Sequence, residues 1–129
     1  MIVIAGATGN LGGKIVEALL KKGAEVKAIV SNEMKDEKIL LLKNKKLTVV
    51  KVDMQIVAEI ADACKGASCV ASALAGLKDI VIETQIKLME GAVLAKVPRF
   101  IPSDYCTDFT KLLPGNNRNL DTRRTFNQY

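Results

Sequence analysis

Four glycines fall within eight positions near the start of the chain, in the stretch GATGNLGGK that covers residues 6–14. An apolar run over residues 1–5 precedes them, and a helix-forming run follows. Glycine is costly to order, so a cluster at a strand-to-helix turn indicates that the backbone must be bare there. The chemistry that uses such a turn is phosphate binding by main-chain N–H groups at a helix N-terminus.

One phosphate-binding motif with these residue types is the P-loop of nucleoside triphosphatases, G-x-x-x-x-G-K-[ST]. Gly13 and Lys14 supply its final G-K pair. Its first glycine would then be Thr8, and its magnesium-binding hydroxyl residue would be Ile15. Isoleucine has no oxygen that could coordinate magnesium. The spacing therefore excludes a P-loop.

The second motif is the dinucleotide-binding fingerprint, which has the spacing Gly6-x-x-Gly9-x-x-Gly12 in this chain. In the G-x-G-x-x-G form, the glycines allow a tight turn, close approach to the pyrophosphate and close helix–strand packing. Here the last spacing is kept and the first glycine lies one residue earlier, which lengthens the turn. Thr8 and Asn10 add polar side chains that can bond phosphate or cap the helix. The motif therefore predicts a dinucleotide site.

Apolar strand patterns alternate with helical patterns along the rest of the chain. Strands are predicted at residues 1–5, 26–30, 47–52, 68–73 and 99–101. Helices are predicted between the first two strands, ending at Gly23, and at residues 34–43, 55–64 and 79–95, the last with Ile82, Ile86, Met89 and Val93 as its inner stripe. This alternation predicts a parallel sheet covered on both faces. Right-handed crossovers then give the strand order 3-2-1-4-5 of a doubly wound, Rossmann-type α/β fold.

The length of 129 residues predicts one domain. We expect its core in residues 1–102, with residues 103–129 forming a loop and the first turns of a further helix over residues 121–129. Asn119 or Asp121 is the expected cap of that helix, since both side chains suit a helix N-terminus.

Composition excludes several classes of protein. There is no histidine, which rules out histidine-based catalysis and the usual zinc ligands, so no metal site is expected. The three cysteines, Cys64, Cys69 and Cys106, have no metal-like spacing and are expected to be idle thiols in a reducing compartment. No apolar run approaches the ~18 residues of a membrane span, and the start lacks a basic leader, so we expect a cytoplasmic protein.

The net charge of +5 comes from scattered lysines, and aromatic residues make up only 4% of the chain. Few aromatic platforms are then available for stacking on bases, so nucleic acid is not an expected partner. A basic surface instead suits an anionic cofactor.

Ligands of open α/β sheets bind beyond the carboxyl ends of the strands, at the point where the strand order reverses. That point lies between the first and fourth strands here. The residues at the strand ends are Gly6 to Leu11, Ser31 and Asn32, Asp53 and Met54, Ser72 to Gly76, and Ser103 to Cys106. The Asp53 carboxylate can accept from an adenine amino group or cap the next helix, and the sequence leaves both roles open.

Two stretches, GATGNLGG at the start and RFIPSDY after the fifth strand, resemble the NmrA-like, isoflavone-reductase-like branch of atypical short-chain dehydrogenases. VKVDM at the third strand and the long helix leading into VPRF match as well, so the resemblance covers residues 1 to about 126. It implies an N-terminal Rossmann lobe that binds NADP(H) or NAD(H). It also implies a smaller C-terminal lobe for substrate contacts, which we expect to be absent from these 129 residues.

The resemblance also implies which residues contact the cofactor. Contacts to its phosphates would come from Gly6, Thr8, Gly9, Asn10, Leu11 and Gly12. Asp53 and Met54 would flank the adenine, and Ser103 and Tyr105 would lie near the nicotinamide. Ser31 and Ser72, at the ends of the second and fourth strands, complete the predicted cofactor-binding set.

This chain departs from the family pattern in ways that concern catalysis. Phe109 stands four residues after Tyr105, so the Tyr-x-x-x-Lys pair of typical short-chain dehydrogenases is missing. The helix that carries a lysine in active relatives has D-T-R-R at residues 121–124 instead. Arginine stays protonated and cannot replace lysine in proton transfer. No catalytic residue is assigned, and whether the chain is an enzyme stays open.

NADP(H) is favoured over NAD(H) because Ser31 and Asn32 can hydrogen-bond a 2′-phosphate, although many relatives carry arginine at the position of Ser31. Against this, Glu33 lies about twenty residues past the glycines, where an acid that selects NAD would stand.

The leading hypothesis is the NAD(P)-binding domain of an NmrA-like oxidoreductase that acts on a small organic substrate, inactive as this short chain. The alternatives are a dinucleotide-sensing regulatory module without catalysis and a truncated product without function. We also expect a homo-oligomer that forms through the fifth strand or the tail, because an edge strand leaves backbone groups unpaired.

Overall fold

A single parallel sheet of five strands organises the chain. The computed structural model describes residues 1–43 and 47–129. The strands are β1 (Ile2–Ala5), β2 (Val26–Ser31), β3 (Thr48–Val52), β4 (Cys69–Ser72) and β5 (Phe100–Ile101). They lie in the order β3-β2-β1-β4-β5, so the predicted doubly wound topology is confirmed. Ala5 at the end of β1 is in register with Ile29 of β2 and Ser72 of β4, which brings the strand ends to one edge.

Helices cover both faces of this sheet. They are α1 (Asn10–Lys21), α2 (Asp36–Lys43), α3 (Val57–Cys64), α4 (Gln85–Leu94) and α5 (Arg118–Phe126). On one face, α1 and α2 pack through Val16 and Ile39 onto a core that includes Ile4. On the other face, α3 and α4 pack through Ile60 and Leu88. Alternate residues of β1 serve the two cores, as a strand buried on both sides requires.

The helix predicted over residues 79–95 differs from the expectation. A π-helical segment, Asp79–Thr84, forms its start, and regular α-helix begins only at Gln85. Beyond Ile82, the buried positions are Thr84, Gln85, Leu88, Gly91 and Ala92, whereas Val93 is 69% exposed. The predicted inner stripe is therefore wrong past Ile82. A π-turn holds more residues than an α-turn, and it shifts the later side chains around the axis.

The tail forms its helix earlier than predicted. Asn117 caps α5, with its side-chain oxygen accepting hydrogen bonds from the N–H groups of Asn119 and Leu120 at 3.0 and 3.3 Å. The expected caps, Asn119 and Asp121, are therefore wrong. Asp121 instead accepts from the N–H of Gly115 at 2.9 Å, which ties the preceding loop to the helix.

The long segment between β5 and α5 is held against the domain. It contains a 3₁₀ turn, Phe109–Lys111, against which α5 packs, and α5 also contacts the π-helical segment. The Arg124 guanidinium donates hydrogen bonds to the carbonyl oxygens of Phe109 and Leu112 at 2.5 and 2.7 Å. These contacts place the tail beside the start of the long helix.

Candidate functional site

A cleft of about 410 Å³ lies at the carboxyl edge of the sheet. Its walls come from the ends of β1, β2, β3 and β4 and from the π-helical segment. Of the residues predicted from the sequence, the cleft wall includes Gly6, Thr8, Gly9, Ser31, Asp53 and Met54. The cleft thus lies where the strand order reverses, as the topology predicts.

The turn from β1 into α1 opens into this cleft. Gly9 is the N-cap residue of α1, and no side chain caps this end of the helix. The first backbone bond of the helix runs from the N–H of Gly13 to the carbonyl of Gly9 at 2.9 Å. The N–H groups of residues 10–12 precede that bond and have no partner within the helix. No acidic residue stands in the first turn to neutralise the positive end of the helix dipole, so the turn suits an anion.

The physical reason for glycine differs among the three positions of the fingerprint. Gly6 has φ of +84°, and a Cβ there would lie 2.5 Å from the Ala73 carbonyl oxygen, so both conformation and space require glycine. A Cβ on Gly12 would lie 2.1 Å from the Gly6 carbonyl oxygen, so Gly12 permits the helix to pack on the turn. A Cβ on Gly9 would lie 3.4 Å from its nearest neighbour, an ordinary contact. The protein itself does not require glycine at position 9.

Asp53 does not have the predicted role of helix cap, because the N-cap residue of α3 is Ile56 and no side chain caps this helix. The Asp53 carboxylate instead shapes the turn before the helix. Its Oδ1 accepts a hydrogen bond from the N–H of Gln55 at 2.8 Å, and its own N–H donates to Glu59 Oε2 at 2.7 Å. These bonds fix the turn that leads into α3. Because Asp53 also forms part of the cleft wall, its role towards adenine stays a prediction. Lys87 Nζ holds the neighbouring Gln55 through a 2.5 Å bond to its side-chain oxygen.

The loop after β2 brings a carboxylate to the same wall. The Ser31 hydroxyl accepts a hydrogen bond from the N–H of Glu33 at 3.2 Å, and both residues line the cleft. Ser31 therefore shapes this loop as well as facing the cleft. Glu33 adds negative charge at the place where a 2′-phosphate would be recognised.

Ser72 and Ser103 lie beneath the cleft rather than in its wall. Ser72 is fully buried, and its hydroxyl accepts from the N–H of Leu74 at 3.5 Å. The hydroxyl of Ser103 donates to the Leu74 carbonyl at 2.6 Å. Both serines thus fix Leu74, which does line the cleft. Their contact with a cofactor stays a prediction.

Tyr105 lies in a different groove, of about 580 Å³, formed by α1 and the β1–β4–β5 part of the sheet. Its neighbours there include Ile4, Cys69 and Ile101. Burial, with a smaller contribution from Cys69, raises the pKa of the Tyr105 hydroxyl. The structure does not bring this side chain to the cleft wall. Its place near the nicotinamide stays a prediction.

The remaining predicted residues, Asn10, Leu11 and Gly12, form the first turn of α1. Asn10 and Leu11 are exposed and Gly12 is buried, and none of their side chains lines the cleft. Their backbone N–H groups, rather than their side chains, are what the site can use.

Among the residues of the site that the sequence analysis missed are two polar ones at the junction of the π-helical segment and α4. Thr84 lines the cleft from the π-helical segment, and Gln85 is buried behind it. The available signal was the polar run E-T-Q at residues 83–85, between the apolar residues 80–82 and Ile86. Periodicity alone could not place Thr84 and Gln85, because the π-turn changes the spacing.

Within residues 1–43 and 47–129, no three histidine, cysteine or acidic side chains come together as a metal site would need. None of the helices described has the length and apolar character required to cross a bilayer.

The fold and the glycine turn define a Rossmann-type α/β domain whose first helix begins without a side-chain cap or an acidic residue. The model of the NmrA-like family matches residues 1–115, and the chain belongs to this family. The resemblance stated from the sequence is therefore confirmed.

Several relatives are similar over nearly the whole chain. Bifunctional pinoresinol-lariciresinol reductase 1 of Thuja plicata is 30% identical over 135 residues, covering 95% of this chain and 43% of that protein. The solved structure of AtPrR2 with NADP⁺ and (+)pinoresinol superposes with a TM-score of 0.85 at 26% identity, covering 98% of this chain and 44% of that chain. The chain thus spans less than half the length of these relatives.

A bacterial structure is similar over a shorter stretch. The NADPH-dependent quinone oxidoreductase QOR2 of Escherichia coli, complexed with NADPH, superposes with a TM-score of 0.68 at 25% identity. The match covers 78% of this chain and 35% of that chain.

Proposed function

We propose that this chain is the cofactor-binding domain of an NmrA-like oxidoreductase and that it holds a dinucleotide in the cleft at the carboxyl edge of the sheet. The observation that carries the proposal is Gly9. It lies on the cleft wall beside the uncapped end of α1, and no protein atom requires the absence of a side chain there. A pyrophosphate that approaches the backbone at Gly9 would explain why this position has no side chain.

NADP(H) is the proposed cofactor, ahead of NAD(H). Two relatives support this choice, since AtPrR2 is solved with NADP⁺ and the Escherichia coli quinone oxidoreductase with NADPH. In this chain Ser31 lies on the wall after β2, where its hydroxyl can also donate to a 2′-phosphate. The Glu33 carboxylate on the same wall repels a 2′-phosphate, so the expected preference for NADP(H) over NAD(H) is modest.

The substrate of the whole protein is proposed to be a small organic molecule reduced by hydride from the cofactor. The cofactor carries the hydride chemistry, and the protein holds and orients it. The matched relatives are more than twice as long as this chain. The family resemblance implies that their additional C-terminal lobe contributes substrate contacts. We therefore propose that these 129 residues bind the cofactor without turnover.

A dinucleotide-sensing module is the second candidate. The residues of the cleft wall include neither lysine nor tyrosine, the pair that typical short-chain dehydrogenases use for proton transfer. A module that binds a dinucleotide and reports its redox state to a partner needs no such group. Turnover separates the two candidates.

We also propose that two copies associate through β5. Within the described residues, β5 lies at the edge of the sheet, which leaves backbone groups on its outer side without a strand partner. Ile101 and Tyr105 beside it are 39% and 46% exposed and line the apolar groove on the α1 face.

A location in the cytoplasm stays a prediction, supported by three free thiols.

The test is a calorimetric titration of the wild-type chain, Gly9→Val and Gly13→Val with NADPH and NADH. Gly13 is the matched control, because a Cβ there would lie 3.6 Å from the Ala7 carbonyl oxygen and the position is not on the cleft wall. We expect Gly9→Val to lose at least about tenfold in NADPH affinity, because its methyl groups occupy the space of the pyrophosphate. Gly13→Val should bind as the wild type does, and melting temperatures should confirm that both variants fold.

Equal NADPH affinity in wild type and Gly9→Val would refute the assignment of the phosphate site. A parallel assay follows NADPH oxidation with small quinones and aldehydes. Steady oxidation by the wild-type chain would overturn the proposal that it binds without turnover, and it would also exclude the sensing module.

A further inference from the structure

Gln85 is a polar side chain buried at the junction of the π-helical segment and α4. It is only 1% exposed, yet both ends of its amide are used. Its Nε2 donates to the carbonyl oxygen of Val81 at 3.2 Å, and its Oε1 accepts from the N–H of Ser103 at 2.7 Å. Burying an amide without hydrogen bonds is energetically unfavourable. The Gln85 side chain is therefore fixed by its bonds to Val81 and Ser103.

The hydrogen-bonded chain continues from Ser103 to the cleft. The Ser103 hydroxyl donates to the Leu74 carbonyl at 2.6 Å, and Leu74 lines the cleft. Just before Leu74, the Ala73 carbonyl oxygen occupies the space where a Cβ on Gly6 would lie, at 2.5 Å. Gln85 therefore connects the loop after β5 to the loop after β4, and through it to the glycine turn.

The π-helical segment itself forms part of the cleft wall through Ile80 and Thr84. The Thr84 hydroxyl donates to the Asp79 carbonyl at 3.2 Å, within the same segment. The bond from Gln85 to Val81 likewise gives a carbonyl of this segment a side-chain donor. π-turns inside helices are frequent at functional sites, and this one contributes to the wall of the same cleft as the glycine turn.

The other half of the cleft is fixed separately. Asp53 is held by Glu59 and by the N–H of Gln55, and Ser31 is bonded to the N–H of Glu33. None of these bonds involves Gln85. In a doubly wound sheet the acidic residue after β2 lies at the adenosine ribose, so this half takes adenosine and the β4 half takes the second mononucleotide.

We propose that Gln85 is a positioning residue for the nicotinamide half of the cleft. It acts through Ser103 and Leu74 and does not itself touch the ligand. This inference rests on the proposed dinucleotide binding, and it divides that binding into two halves with independent supports.

The test compares a full cofactor with a fragment that contains only the adenosine half. Wild type, Gln85→Leu and Gln128→Leu are titrated by calorimetry with NADPH and with 2′,5′-ADP. Gln85→Leu keeps the approximate volume and removes both hydrogen bonds. Gln128→Leu, at the exposed end of the chain, is the matched control.

We expect Gln85→Leu to lower the NADPH affinity about tenfold, the effect of losing roughly one buried hydrogen bond at the site. Its affinity for 2′,5′-ADP should stay within about twofold of the wild type, because the adenosine half has its own supports. The fluorescence of bound NADPH should also shift towards that of the free cofactor, since the nicotinamide is less well held. Gln128→Leu should match the wild type in all three measurements.

Lys87→Met serves as a comparison in which both ligands are expected to bind more weakly. Lys87 supports Gln55 on the adenosine side, so its loss should weaken NADPH and 2′,5′-ADP by the same factor. A merely structural role for Gln85 would produce that pattern too, with both ligands weakened together, and this result would overturn the proposal. The proposal would also be overturned if Gln85→Leu bound both NADPH and 2′,5′-ADP as tightly as the wild type does.

Failure of the wild type to bind, and failure of Gln85→Leu to fold, can each be told apart from failure of the proposed role of Gln85. Wild-type chain that binds neither ligand refutes the proposed function rather than the role of Gln85. If Gln85→Leu does not fold, Ser103→Ala removes the next bond of the same chain, and it should lower the NADPH affinity while leaving that of 2′,5′-ADP unchanged.

Discussion

Gly12 lies so close to Gly6 that a Cβ on Gly12 would stand 2.1 Å from the Gly6 carbonyl oxygen. The same carbonyl accepts a hydrogen bond from the N–H of Gly9 at 3.0 Å, so the turn is closed from two sides. The third glycine of the fingerprint therefore fixes the helix against the turn. Gly12 therefore serves the packing of the helix, and Gly9 is the fingerprint glycine whose bare backbone is explained by the proposed ligand.

Substituting alanine at Gly12 should destabilise the fold. The added methyl group would meet backbone atoms that cannot rotate away, and overpacking of this kind costs at least about 2 kcal/mol. Gly13→Ala is the control, because its Cβ has 3.6 Å to the Ala7 carbonyl oxygen and alanine favours the helix by up to about 1 kcal/mol. Urea denaturation measures both free energies of unfolding. Equal stability of the two variants would contradict the packing role of Gly12.

Glu33 should set the size of the preference for NADPH. Its carboxylate lies on the cleft wall after β2, and its charge repels a 2′-phosphate. Glu33→Gln should raise NADPH affinity about threefold to tenfold and NADH affinity less than about twofold, with the difference shrinking at high salt. Glu37→Gln, an exposed acid in α2, is the control. If the wild type prefers NADH and Glu33→Gln weakens it, Glu33 binds the ribose and the proposed preference is wrong.

The Cys64 thiol should make stability fall in alkaline solution. Burial, partly offset by Lys27, raises the pKa of this thiol from 9.0 to about 11. The folded state then keeps a proton that the unfolded chain has already lost, so stability present below pH 9 is lost as the pH rises towards 11. The loss attributable to Cys64 should be on the order of 2 kcal/mol.

Cys64→Ala isolates this contribution from other groups that titrate in the same range. Urea denaturation of both proteins across that pH range should show the difference in their free energies of unfolding changing with pH. The wild type should lose more stability than the variant. Parallel curves for the two proteins would show that the thiol does not titrate with a raised pKa in the folded state.

The sheet and the glycine turn could be predicted because their signals are local. Strand–helix alternation specifies the parallel topology, and the spacing of Gly6, Gly9 and Gly12 specifies the strand-to-helix turn. The predicted strands differ from the observed ones by no more than one or two residues at each end.

The features that could not be predicted depend on contacts between distant residues. The bond between Gln85 and Ser103 joins positions 18 apart in sequence, and the π-helical segment that contacts α5 changes the helical spacing. The cap of α5 was missed because several suitable residues compete, and Asp121 is engaged by Gly115. The place of Tyr105 near the nicotinamide was implied by the family resemblance and stays a prediction, and its side chain lines the groove on the α1 face.

That groove provides the last prediction, which concerns assembly. Ile101 is 39% exposed at the edge strand β5, in a groove of about 580 Å³ that a second copy could fill. Ile101→Lys places a charge in the apolar interface and should convert dimer to monomer, because an unpaired buried charge is not tolerated. Leu113→Lys, at a leucine that is 75% exposed and does not line the groove, is the control and should leave the mass unchanged. Light scattering across a range of concentrations measures the mass of all three proteins. A wild-type chain that stays monomeric throughout would refute association through β5, and a dimer that persists in Ile101→Lys would move the interface elsewhere.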